Sequence, residues 1–393
     1  MNLGRYFLKS FVFLVIFIPV FSSAYFEPTI TNEDLIGKYN NGEKIKILVV
    51  PGHDNVSSGA VFGGVKEVEL TRIVAKELAS ILKQDQHFEV VEAHLGDDYA
   101  PFLKTYFENK DAIEQFRATY IKKMNNLVKR GKIDTEDNPE HVTAASDVVF
   151  KLYAINKWAN ENNVDLVVHI HFNDYGSRKR SKVGEYSGFS IYVPERQYGN
   201  SLPSIDIGKR ISESLNKVIY ESNMPGEEKF GSVIEDQELI AIGANNTLSP
   251  AGILLEYSYI YEPLLQASYN SGYFKNIAKQ LAHATYVGID NYFGQDLLYR
   301  FNKSPVTKYR WDMDRKVNLN EKAKLDNFML QFVLRSYGNY PPAGKSREDC
   351  PITGVFGNCT EQALKEFQKK YSIPATGTLG PKTREFLNTL FAK

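Results

Sequence analysis

Short runs of aliphatic and β-branched residues alternate with apolar stripes at helical spacing through most of the chain. Residues 45–50 read Ile-Lys-Ile-Leu-Val-Val and stop at Pro51-Gly52, the mark of a buried strand followed by a turn. Residues 67–82 then carry Leu70, Val74, Leu78 and Ile81 on one helical face. The same reasoning predicts a strand at 88–93 and a helix at 147–162, the latter through Val148, Leu152, Ile155 and Ala159. Strands follow at 164–170, 189–193 and 252–257, with helices at 205–220 and 274–292. Strands alternating with helices predict an α/β domain over residues 43–300, a mostly parallel sheet flanked by helices.

Two stretches break this rhythm. Residues 94–146 hold a charged helical pattern at 112–128 and a stretch rich in Asp, Glu, Asn and Pro at 134–139, and read as an insertion on a strand–helix connection. Long insertions are often functional, although a passive surface elaboration also costs little. Residues up to Gly42 read as a polar lead-in. Past residue 300 comes a charged, irregular linker at 301–320. Residues 321–393 then carry short helical patterns without strands, a small all-α three-helix domain. No internal repeat or low-complexity tract is present.

The N-terminus changes the setting. Arg5 and Lys9 precede an apolar run at 11–21, broken only by Pro19 and followed by Ser22-Ser23-Ala24. That order predicts a signal peptide over residues 1–24, hence export to the periplasm or the cell wall and exterior. An uncleaved anchor is the alternative, though the run is short for a membrane span. The chain's two cysteines, Cys350 and Cys359, are expected to pair in an exported protein, closing a small loop worth roughly 2–3 kcal/mol; two free thiols are the alternative. The 43% hydrophobic and 24% charged composition is that of a globular protein. A formal net charge of zero gives no basic face, and nucleic acid is excluded as a partner.

Candidate chemistry gathers at strand ends. His53 lies just past the first strand, Glu67 opens the next helix, His171 follows the strand at 164–170, and Glu256 follows Ile253-Leu254-Leu255. In a parallel sheet all four reach one rim, where α/β sites form. Two histidines and a carboxylate are a recurrent catalytic zinc set, and zinc lowers the pKa of its water toward ~7. A further carboxylate, here Glu256, then carries the proton to the leaving amine. Taken singly, each residue has a plainer explanation. His53 alone reads as structural or exposed, Glu67 as a helix-start carboxylate, and Glu256 as a solvated strand end. His169 points to the same strand face as His171, so it is either a rival ligand or a partner holding one.

The segment from Ile47 to Leu78 resembles the zinc-dependent N-acetylmuramoyl-L-alanine amidases, through Pro51-Gly52-His53, Gly59-Ala60 and the helix-opening Glu67. Ile155-Asn156, Asp165, His169-Ile170-His171-Phe172-Asn173, the strand at 188–193 and Ile253-Leu254-Leu255-Glu256 continue the likeness across residues 44–293. The resemblance implies zinc on His53, Glu67 and His171, Glu256 as the catalytic carboxylate, and His169 and Asn173 as residues supporting the ligands. It implies cleavage of the amide between the lactyl group of N-acetylmuramic acid and L-alanine of the stem peptide. Five positions depart from the family pattern: Val50 for Asp, Asp54-Asn55 for Gly-Gly, His169 for Ser and Lys151 for Arg. In some relatives a helical insertion covers the zinc until an activator protein moves it, so residues 94–146 are expected to be such a target. Phe356-Gly357, Phe367-Gln368, Ile373-Pro374, Gly377 and Gly380-Pro381-Lys382-Thr383 resemble a peptidoglycan-binding domain, with Thr360 expected as a helix cap. A tethered wall-binding module raises the effective concentration of an insoluble substrate. The alternatives are a zinc peptidase cutting within the stem peptide and a catalytically silent wall-binding protein.

Overall fold

The computed structural model describes residues 29–135, 145–175, 178–179, 181–227, 231–293, 311, 321–337, 339–345, 349–350 and 354–390. The expected leader, most of the linker and residues 136–144 of the insertion lie outside them.

Six strands form the central sheet: β1 (Ile45–Pro51), β4 (Phe88–Glu92), β7 (Leu166–Asn173), β8 (Ser190–Pro194), β9 (Val233–Asp236) and β10 (Ala251–Tyr259), in the order β4-β1-β7-β10-β8-β9. β4, β1, β7 and β10 are mutually parallel. β8 lies antiparallel to β10 and parallel to the edge strand β9. The sheet is therefore mixed and mostly parallel, as the alternation predicts.

Strand periodicity divides the core into two faces. Ile45, Ile47 and Val49 of β1, with Val168, Ile170, Ile253 and Leu255, pack against α2 (Glu67–Leu82), α6 (Ser201–Leu215) and α8 (Phe274–Tyr292). Leu48, Val50 and Val167 face the other way, toward Ile155 and Trp158 of α5 (Ser146–Glu161). His169, His171 and Glu256 belong to this second face: Leu254 lies opposite His169, and Glu256 opposite His171. With both faces covered, the central strands are apolar throughout, which explains their continuous hydrophobic runs.

The expected polar lead-in is instead a helix, α1 (Asn32–Asn40). Thr31 and Asp34 close a reciprocal capping box, and Leu35 and Tyr39 bury against the core, Tyr39 stacking on Phe293 at 4.6 Å. Two apolar anchors in nine residues are too few to raise a periodic signal. α6 begins four residues before the expected start, and α7 (Pro263–Asn270) and β9 were not anticipated. The hairpins β2–β3 (Val61–Phe62, Val65–Lys66) and β5–β6 (His94–Leu95, Asp98–Tyr99) are also additions.

The insertion contains two helices, α3 (Pro101–Glu108) and α4 (Lys110–Lys129). Ile113 of α4 buries against Tyr153 and Ala154 of α5. The C-terminal region holds α9 (Glu321–Ser336), α10 (Asn358–Lys370) and α11 (Pro381–Leu390), with no strand among the described residues. Their core comprises Leu330, Val333, Leu334, Ala363, Leu364, Phe367 and Leu387, closed by Trp311. Cys350 and Cys359 form the expected disulfide, tying a buried loop residue to the start of α10. Thr360 is not the cap: α10 starts at Asn358 after Gly357, and Thr360 is buried in its first turn, accepting from Gln331 Nε2 at 2.7 Å. Arg335 of α9 joins this unit to the sheet domain, donating to the Asn216 carbonyl at 2.8 Å and lying over the Tyr220 ring.

Candidate metal centre

The site is assembled at the C-terminal rim of the sheet. His53 follows the end of β1 in a left-handed conformation, φ 68°, which is uncommon for a residue with a side chain. The turn beyond it is held by Asp54, whose Oδ1 accepts from the backbone N–H of Val56 and Ser57 at 2.8 and 2.7 Å. Glu67 is the first residue of α2, where the helix dipole favours a carboxylate. Ala60 N–H donates to its Oε2 at 2.9 Å, and Phe172 N–H to its Oε1 at 3.2 Å. Thr71 donates to the Gly52 carbonyl at 2.9 Å, fastening α2 to the turn after β1.

Each oxygen of Glu67 meets one imidazole: His53 Nε2 lies 3.0 Å from Oε2 and His171 Nδ1 3.0 Å from Oε1. The two rings stand edge to face, 5.1 Å apart. One ligand atom from each of the three residues lies within 4.8 Å of the other two. Burial pushes the Glu67 carboxyl up, but the His53 charge and the hydrogen bonds from His171 and His53 outweigh it, leaving it well below the usual carboxylate range. Two glycines make this closeness possible. A Cβ on Gly52 would collide with the His171 ring, and one on Gly59 with the Glu67 carboxylate and the His53 ring. Gly59 also has φ +74°, where side chains are strained.

Two imidazoles and a carboxylate converging in this way fit zinc in donor type and number, with room for a further ligand from the cleft side. Glu256 stands beside the triad, its backbone opposite His171 in the ladder. Its Oε2 is buried without a hydrogen-bond partner. Burial, then the charges of Glu67 and Glu227, hold its carboxyl well above the usual range. His169 is outside the triad: its ring centroid lies 6.4 Å from that of His171 and its Nε2 is buried without a partner. Burial, then the neighbouring His171, lowers its pKa to about 3, so the ring is neutral. Asn173 lines the same cleft.

The cleft measures about 930 Å³ and is bounded by His53, Glu67, His171 and Glu256 on one side and by Arg117, Met124 and Val128 of α4 on the other. Two of the departures from the family pattern meet at its edge. Lys151 of α5 reaches Asp54 at 2.5 Å, while its second carboxylate neighbour, Asp147, is 3.7 Å away. Behind Glu256, the buried Glu227 accepts from Tyr192 at 2.5 Å and Tyr259 at 3.2 Å. Neither the Asp54–Lys151 pair nor Glu227 is visible as chemistry in the sequence. Their partners lie 97 and 35 residues away, and no local spacing links them.

A mostly parallel α/β sheet carrying a His–Glu–His group that could hold a metal, with a buried carboxylate on the same cleft, is the arrangement of a hydrolase. The sequence matches the N-acetylmuramoyl-L-alanine amidase family over residues 47–291 and a peptidoglycan binding domain over residues 328–387. The chain therefore belongs to the N-acetylmuramoyl-L-alanine amidase family, and it is an amidase acting on peptidoglycan. Among solved structures it is similar to an N-acetylmuramoyl-L-alanine amidase from Clostridium difficile 630, at 15% identity and a TM-score of 0.40, over 64% of this chain and 98% of that one. The CwlD amidase of Clostridioides difficile, solved with the GerS lipoprotein, is 16% identical over 64% of this chain and all of that one (100%), with a TM-score of 0.40. Ami1 from Mycobacterium smegmatis is 13% identical over 64% and 98%, with a TM-score of 0.42. No curated protein matches the sequence.

Proposed function

We propose that this amidase is a zinc enzyme working outside the cytoplasmic membrane, with His53, Glu67 and His171 as the metal ligands and Glu256 as the proton carrier. The observation carrying this reading is the convergence of the three ligand atoms within 4.8 Å, with Glu256 opposite His171 on the neighbouring strand. Zinc, when bound, supplies Lewis acidity that polarises the scissile carbonyl and acidifies the attacking water. The chain's own residues do the rest. Two backbone N–H groups anchor Glu67 and so fix its carboxylate where it would join both imidazoles in holding the metal. Glu256 takes a proton from the water and returns it to the departing L-alanine nitrogen. A carboxyl held high by burial suits this duty, because it gives up the proton less readily than an exposed one and can deliver it to an amine.

The domain plan belongs to the same proposal: a leader at 1–24, a catalytic domain at 43–300 with its insertion at 94–146, a linker at 301–320 and a wall-binding domain at 321–393. Export is supported by the nature of the polymer and by the peptidoglycan binding match. No helix among the described residues is long and apolar enough to cross a membrane. An activator protein acting on residues 94–146 would act on the cleft directly, because α4 is one of its walls.

The test is mass spectrometry of purified muropeptides incubated with residues 25–393 and with Glu256→Gln, zinc content being measured in both. The expected products are stem peptides beginning at L-alanine. The variant should keep its zinc and release them at least about 100-fold more slowly. A variant as fast as the parent removes Glu256 from the chemistry. Fragments cut within the peptide would show a peptidase, and silence from a zinc-loaded parent would leave a missing activator or a binding protein.

A further inference from the structure

We infer that Arg117, carried by the insertion helix α4, is the cation that binds a free carboxylate of the stem peptide and so makes the insertion a specificity element of the active-site cleft. The inference rests on the reading that this cleft takes the stem peptide. It begins with the placement of α4. Ile113 anchors the helix on α5, and Arg117, Met124 and Val128, spaced seven and eleven residues apart, present one face to the cleft. The helix gives no carboxylate or imidazole to the cleft lining, so it forms a wall and supplies none of the metal triad.

Charge decides what that wall does. Among the described residues five carboxylates line the cleft, but Asp54 is paired with Lys151 and Asp174 with Arg178, zinc would sit on Glu67, and burial holds the Glu256 carboxyl high, which leaves Glu238. The stem peptide itself carries free carboxylates, and a cation on the cleft lining is the group that would recognise one. Among the described residues the Lys and Arg side chains that line it are Lys151 and Arg117. Lys151 is already committed to Asp54. Among the described residues Arg117 pairs with the exposed Glu114, one helical turn away at 3.6 Å, a weak surface pair. Its guanidinium lies 5.5 Å from the centre of the Tyr153 ring, a stacking arrangement that steers the planar group. Its Nε is buried and has no acceptor. A guanidinium on the cleft lining whose side chain is 40% exposed can turn its outer N–H groups to a two-point hold on a carboxylate. Lys151, a point charge already paired, cannot.

The experiment uses the whole chain with Arg117→Gln and Arg117→Lys. Two readouts are taken on stem peptides whose carboxylates are free, or amidated one at a time at the second residue and at the C-terminus. The first is calorimetric binding of the released peptide, which needs no turnover. The second is the KM and kcat for the corresponding muropeptides. The parent should prefer the free form at one of the two positions, and that position identifies the carboxylate. Arg117→Gln should weaken binding and raise KM for that form by about 10- to 100-fold, leave kcat within a few-fold, and erase the preference; Arg117→Lys should restore part of it. The inference fails if the preference survives in Arg117→Gln, or if free and amidated peptides weaken equally. A parent that binds the peptide but releases none from muropeptides would count against the amidase reading, and the binding comparison would still decide on Arg117.

Discussion

Removing the Asp54–Lys151 pair tests how the active-site turn is held. Asp54 accepts three hydrogen bonds, from Val56 N–H, Ser57 N–H and Lys151, and is 7% exposed. Asp54→Asn keeps an oxygen for the two turn N–H groups and removes only the charge. Lys151→Met removes the other partner and keeps the aliphatic stem. The side chains of Lys151 and Asp54 are 21% and 10% exposed, so the pair lies between a surface ion pair, worth about 0–1 kcal/mol, and a buried one, whose disruption costs about 3–5 kcal/mol. A coupling of about 1–2 kcal/mol is expected from the double-mutant cycle. Urea unfolding measures it. The chain has two tryptophans, Trp158 in the sheet domain and Trp311 in the C-terminal core, so a Trp311→Phe background makes Trp158 the sole reporter. The pH dependence has a definite sign. Burial raises the Asp54 carboxyl, but Lys151 and the two turn N–H groups more than offset it, so its folded pKa lies below the ordinary value. The folded chain binds that proton less readily than the unfolded one. The stabilisation is therefore present above about pH 4 and is lost as pH falls through the folded value. Additivity within about 0.3 kcal/mol at neutral pH, or a coupling unchanged on acidification, would refute the argument.

Two other outcomes follow from the geometry. Gly59→Ala places a methyl group against both His53 and Glu67 at a positive φ, so zinc content by elemental analysis should fall well below one per chain; full zinc occupancy would show that the loop can yield. Replacing Cys350 and Cys359 with serine opens a loop of nine-residue separation and should destabilise the C-terminal unit by about 2–3 kcal/mol. Trp311 fluorescence should report that loss while the Trp158 signal keeps its midpoint; a common shift in both would show that the two units unfold together.

Most of the sheet domain was legible because its signals are local. The continuous apolar runs of β1, β7 and β10 come from strands covered on both faces, and the bounds of α2 and α8 follow directly from their stripes. The site was legible for a related reason: a parallel sheet sends strand ends to one rim, so His53, His171 and Glu256 needed only the right strands to meet. What escaped was set by tertiary contact. α1 is fixed by a capping box and two anchors, Leu35 and Tyr39, whose partners lie elsewhere in the chain. β9 is a four-residue edge strand paired only with β8. Thr360 looked like a cap by residue type, but its hydroxyl is used across the core by Gln331.

The departures from the family pattern gain meaning only in three dimensions. Asp54 and Lys151 stand at two separate positions where the family has other residues, and here they are each other's partner. Asp54 holds the turn that follows His53 at φ 68°, so the pair acts on this proposed metal ligand through the backbone rather than by touching it. The same pairing has a second consequence on the cleft side. With Lys151 held by Asp54, the other Lys or Arg on the lining among the described residues is Arg117, held by a weak surface pair with Glu114, and it belongs to the insertion. The Asp54–Lys151 pair and Arg117 of α4 thus border the same cleft, which ties the rim and the long insertion into a single arrangement. Freeing Lys151 by Asp54→Asn should then partly rescue peptide binding in Arg117→Gln, an interaction between two cleft positions on separate elements that independent roles would not produce.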